Sequence, residues 1–122
     1  MTSPKDEILR FIASSFRSVW GLELLLVLKR DRRPWSHPEL VKIMRASDLV
    51  VTKALTSLEA AGLVANDGEL SQYLPVSDEV EALVEQAEAL YAKRPDAVRR
   101  AIVAASSGSA SAFANAFKLR ND

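Results

Sequence analysis

Residues 36–74, SHPELVKIMRASDLVVTKALTSLEAAGLVANDGELSQYL, decide the fold. Ser36-His37-Pro38-Glu39 places a serine three residues before a glutamate. At that spacing the hydroxyl accepts from an early helical N–H while the carboxylate reaches back to the cap. The helix so opened is expected to run to about Arg45, with Leu40, Ile43 and Met44 on one face. Ala46-Ser47 interrupts it, and Ser47 can cap a second helix from Asp48 to Ala61. Gly62 stands where a left-handed terminator is wanted. After it the apolar period changes. Leu63-Val64-Ala65 and Glu69–Leu74 flank Asn66-Asp67-Gly68, a turn-forming trio that predicts a tight β-hairpin.

Upstream, Ser3, Pro4, Asp6 and Glu7 suit the first turn of a helix that carries Ile8, Leu9, Ile12 and Phe16 to about Arg17. Ser18 can cap the next, whose Trp20, Leu22, Leu24, Leu25, Val27 and Leu28 are apolar on nearly all sides. Such a helix belongs in the middle of a fold or at a subunit interface. It ends in Lys29-Arg30-Asp31-Arg32-Arg33-Pro34, cations that either complement the helix dipole or meet phosphate. Downstream, Ser77-Asp78-Glu79 opens a helix with the stripe Val80, Leu83, Val84, Ala87, Leu90, Tyr91, ending near Lys93-Arg94. Tyr73 and Tyr91 are expected to cover the core with their hydroxyls outward. A further helix is expected from Asp96 to about Ser106, and a last one from Ala110 to Leu119 with Phe113 and Phe117 four apart. That last stretch can dock on its own domain, exchange across a dimer, or engage a partner protein as an amphipathic helix.

Composition narrows the function classes. The chain has 122 residues, 48% apolar, enough for one compact domain. Sixteen Lys and Arg balance sixteen Asp and Glu, so binding to nucleic acid must come from a local patch. There is no cysteine, which excludes disulfides, thiolate zinc sites and a cysteine nucleophile, and His37 is the single histidine. No nucleophile–base pairing, glycine-rich phosphate loop or metal-spaced cluster stands out, so neither an enzyme, a metal site nor a cofactor is expected. The longest greasy run, Val19–Leu28, falls short of the ~20 residues a bilayer requires. With Asp6 and Glu7 near the start, no membrane association and a cytoplasmic location are expected.

The order helix, short helix, tight break, helix, hairpin across Val19–Leu74 predicts a mainly α fold with a small two-stranded β-hairpin. This is a winged helix-turn-helix with flanking N- and C-terminal helices. Residues 1–76 would form that unit with its N-terminal helix. Residues 77–122 would form a helical dimerisation or interaction segment within the same compact domain. Val51, Leu55 and Leu58 would pin the second helix of the motif to the core, leaving its polar face for a major groove about 12 Å wide.

Ser47–Val64, SDLVVTKALTSLEAAGLV, resembles the recognition-helix signature of the MarR-like and ArsR-like winged-helix regulators, a capped helix running into a Gly-Leu-Val tail before the wing. The resemblance covers roughly residues 19–75. It implies a dimeric regulator of transcription that reads double-stranded DNA, with the helices on either side pairing two subunits into a homodimer. It also implies that Ser47, Val50, Thr52, Lys53, Thr56 and Ser57 face the major groove, with Asp48 at the start of the same surface. Arg30, Arg32, Arg33, Ser36, Lys42 and Arg45 are the candidates for phosphate contact. The hairpin tip, Asn66-Asp67-Gly68-Glu69, is acidic where those families usually carry basic residues, and the recognition helix has no arginine. A second reading follows from these departures: a winged-helix protein–protein interaction module that acts on the transcription machinery without its own specific DNA binding.

Overall fold

The computed structural model describes residues 4–105. In chain order the elements are α1 (Pro4–Ser15), α2 (Val19–Arg30), β1 (Trp35–Ser36), α3 (His37–Met44), α4 (Asp48–Ala60), β2 (Val64–Asn66), β3 (Leu70–Tyr73) and α5 (Asp78–Lys93). Residues 95–105 are also helical. The expected helix from Ala110 to Leu119, with Phe113 and Phe117, lies outside the described residues.

Local chemistry sets most helix starts. Ser18, Ser36, Ser47 and Ser77 hold extended backbone and accept from the N–H of Gly21, Glu39, Val50 and Val80 respectively. Each such cap stabilises its helix by about 1 kcal/mol. At Ser36 the box is complete, since the Glu39 carboxylate accepts the Ser36 N–H at 2.8 Å. α1 stops at Ser15 rather than near Arg17, because the chain must turn through 101° before Ser18 starts α2.

The break between α3 and α4 is made by Arg45, whose φ of 53° is left-handed. Its N–H and that of Ala46 return to the carbonyls of Lys42 and Val41, both at 3.3 Å, which closes α3 and redirects the chain. A non-glycine residue in this conformation costs about 1–2 kcal/mol. The strain is held by the helices on either side.

One core joins the whole. Leu22, Leu24, Leu25, Leu26 and Leu28 of α2 are shielded from solvent, with Ile12 of α1, Phe16 just after it, Leu40 of α3 and Val51, Leu55 and Leu58 of α4 in the same cluster. Val84 and Ala87 of α5, and Val98 and Ile102 of the following helix, belong to the same cluster. Burying each large aliphatic side chain contributes roughly 1.5–3 kcal/mol, which is why α2, apolar almost all round, sits at the centre.

The sheet corrects the sequence reading. It has three antiparallel strands in the order β1-β3-β2. Trp35 pairs with Ser71 and Ser36 with Leu70, while Val64, Ala65 and Asn66 pair with Tyr73, Gln72 and Ser71. β1 is two residues long and its partners are far along the chain, so no alternation in the sequence could announce it. Tyr73 differs as well. Its hydroxyl is buried rather than outward and makes no hydrogen bond, and burial pushes its pKa up to about 12. The Tyr91 hydroxyl donates to a carboxylate oxygen of Glu23 on α2. Gly62, at a φ of 77°, ends α4 as expected, and a Cβ there would stand 2.9 Å from Val76 Cγ1.

Candidate functional site

α4 is fixed from below and open above. Val51, Ala54, Leu55 and Leu58 are buried, while Thr52, Lys53 and Thr56 are exposed. The Thr52 and Thr56 hydroxyls donate to the carbonyls of Asp48 and Thr52, each at 2.9 Å. Their protons are occupied along the helix, which leaves these hydroxyls only acceptor capacity for a partner. The Ser47 hydroxyl is committed to its cap at 3.2 Å. Asp48 Oδ1 lies 2.7 Å from His37 Nε2, a nitrogen that is otherwise buried. The two pair when the ring is charged, although the nitrogen makes no hydrogen bond of aligned geometry.

Two clefts flank α4. The larger, about 560 Å³, lies between α4 and the α1–α2 corner, and Val50, Lys53, Ser57, Phe16 and Trp20 are among its lining residues. Val50 and Ser57 are half-buried there, so they turn toward this corner rather than straight outward. The smaller, about 240 Å³, lies toward the β2–β3 turn and is lined in part by His37, Asn66 and Glu69. Thr52 and Thr56 border both clefts and form the ridge between them. Leu49 was missed by sequence reasoning. It is 59% exposed and lies four and seven residues before Lys53 and Thr56. That count alone puts it on the outward edge with them.

The basic residues between Lys29 and Lys53 divide into two groups. Those at the end of α2 are paired within the molecule. Lys29 Nζ is 2.8 Å and Arg30 Nε 3.6 Å from the Glu88 carboxylate. Arg32 reaches Glu81 at 3.4 Å and lies 5.0 Å from the centre of the Tyr73 ring. Arg33 contacts Glu39 at 3.0 Å and Asp31 at 3.2 Å, with its guanidinium 3.8 Å from the centre of the Trp35 ring. Hydrogen bonds from Arg33 and the Ser36 N–H hold the Glu39 carboxyl down to about 2, and the same pairing raises Arg33. Ser36 itself is taken up by its capping box.

The second group is different. Lys42, Arg45 and Lys53 are exposed and their side chains have no ion-pair partner among the described residues. Lys42 and Arg45 share a shallow depression with Ile43 and Glu39. Of the residues expected to meet phosphate, these two keep their charge uncommitted. The hairpin tip stays acidic: Asp67 Oδ1 accepts the N–H groups of Leu70 at 2.8 Å and Glu69 at 2.9 Å, which lowers its pKa.

Among the described residues no single helix is long and apolar enough to cross a membrane. Nor do three or more potential metal-ligating side chains come together among them. Comparison with protein-family models, with curated proteins and with solved structures finds no match to this chain.

Proposed function

We propose that α3, α4 and the β2–β3 hairpin form a winged helix-turn-helix, and that the protein is a DNA-binding regulator of transcription. In this reading α4 lies in the major groove. Leu49 and the methyls of Thr52 and Thr56 meet apolar base edges, while Lys53 reaches a base or a phosphate. Lys42 and Arg45 hold the backbone on one flank. The observation that carries the reading is that Lys42, Arg45 and Lys53, exposed and without an ion-pair partner among the described residues, lie on α3, the turn and α4 beside a helix edge that the core leaves open. With so few phosphate contacts per subunit, tight binding requires a homodimer on paired half-sites.

The test is titration of fluorescent duplex DNA, first mixed genomic sequence at low salt and then any enriched sequence. Lys53→Ala with Thr56→Ala should abolish sequence-specific binding and leave the thermal midpoint nearly unchanged. Specific binding that survives this double substitution removes α4 as the reading element.

A second reading has its own support. Trp20, Ile43 and Leu49 are exposed apolar side chains close to the same region, and the hairpin tip carries Asp67 and Glu69. These favour a protein-binding module that acts on the transcription machinery. Absence of any salt-sensitive attachment to DNA would favour it over the first.

A further inference from the structure

The exposed edge of α4 lacks the side chains that read guanine or adenine through paired hydrogen bonds from a planar group. Between Asp48 and Ala60 there is no arginine, asparagine or glutamine, and Lys53 is the one cation. The hydroxyl protons of Thr52 and Thr56 are spent on the carbonyls of Asp48 and Thr52, so toward a partner both side chains can only accept. Asp48, a carboxylate at the first position of the helix, also only accepts.

Among these acceptors stands Leu49, 59% exposed. It belongs neither to the buried core nor to the apolar residues packed against it, so folding does not account for it. It lies three, four and seven positions before Thr52, Lys53 and Thr56, which places it on their edge of the helix. Lys42, Arg45 and Lys53, exposed and without an ion-pair partner among the described residues, lie on α3, the turn and α4. That charge suits a polyanion as the occupant of this edge.

We propose that α4 reads the 5-methyl group of a pyrimidine in the major groove, with Leu49 as the contacting side chain and Thr52, Thr56 and Asp48 accepting from an exocyclic amino group of the same base pair. The inference rests on the DNA-binding reading above and names what its reading helix recognises. An apolar side chain gains most from a groove position that is itself apolar, and the pyrimidine methyl is that position. Two base pairs offer a methyl together with an amino donor. In thymine–adenine the amine stands on the adenine, and in 5-methylcytosine–guanine it stands on the methylated ring itself. Ordinary cytosine–guanine has the amine without the methyl.

The test enriches duplexes from a random-sequence pool in two forms, one with ordinary cytosine and one with 5-methylcytosine throughout. The best-bound sequences are then remade with deoxyuridine in place of thymine, or with ordinary cytosine in place of the methylated base. Removing a contacted methyl should weaken binding about fourfold at each such position. Loss with deoxyuridine assigns thymine, and loss with ordinary cytosine assigns 5-methylcytosine. Leu49→Ala should bring the ratio of affinities with and without the methyl down towards one. It should leave the dependence of affinity on salt unchanged, and the fold as well, since the position is exposed and alanine favours a helix. Affinity indifferent to the methyl in both arms, or a ratio that Leu49→Ala does not lower, overturns this inference and leaves the DNA-binding reading standing. Absence of salt-sensitive attachment to any duplex overturns both and gives the edge to a protein partner.

Discussion

Two short basic connections, one on each side of α3, behave in opposite ways. Between α2 and β1, Arg32 and Arg33 are paired at the surface with Glu81, Asp31, Glu39 and the faces of Tyr73 and Trp35. Between α3 and α4, Arg45 bends the chain in a left-handed conformation and its side chain, like that of Lys42, stays without an ionic partner among the described residues. The same residue types serve structure in the first and are left available in the second. A cluster of cations in a sequence is therefore no measure of a nucleic-acid patch. What counts is whether carboxylates from elsewhere in the fold arrive to neutralise it.

The largest expected effect breaks the first connection. Trp35 is buried, donates its indole N–H to the Asp31 carbonyl at 2.9 Å and supports Arg33 on its ring. Trp35→Ala should cost roughly 3–5 kcal/mol, read as a lower urea midpoint. A cost under about 1 kcal/mol, the level of a surface substitution, would mean that this connection is not structural.

The second connection is sharpened by a substitution with opposite signs in two assays. Arg45→Gly relieves the left-handed strain and should raise stability by about 0.5–1 kcal/mol by urea unfolding, while weakening attachment to duplex DNA. If binding is unaffected, Arg45 does not belong to the interface.

The smallest effect is a pH dependence within the first connection. Glu39 is held at about 2, below its ordinary value of 4.5. Its contribution is thus fully present above 4.5 and is lost as pH falls through about 2. The gap in thermal midpoint between the native chain and Glu39→Gln should be constant near neutral pH and close across that acid range. A gap that persists at the acid end would assign the stabilisation to something other than the Glu39 charge.

What the sequence made legible follows the same division between local and distant. The caps at Ser18, Ser36, Ser47 and Ser77 were readable because donor and acceptor lie three residues apart. The glycine terminator and the anchors Val51, Leu55 and Leu58 were readable because they depend on helical spacing. β1 was not, since Trp35 and Ser36 find their partners on β3. Nor was the fate of the α2-end cations, because Glu81 and Glu88 come from α5, more than forty positions away. Val50 and Ser57 were placed on the outward face, yet the α1–α2 corner rises beside α4 and half-covers them. Leu49 shares the exposed edge with Lys53 and Thr56, and an apolar side chain carries no signal of that exposure in the sequence.

The proposed duplex interface lies on α3 and α4 and leaves out the end of α2. It is tested most directly by the salt dependence of duplex affinity for single substitutions. Lys42→Ala and Lys53→Ala should each lower the slope of log affinity against log salt by about one, and Arg33→Ala should leave it unchanged. A slope that responds to Arg33 but not to Lys42 or Lys53, or duplex binding with no dependence on salt, would contradict the account.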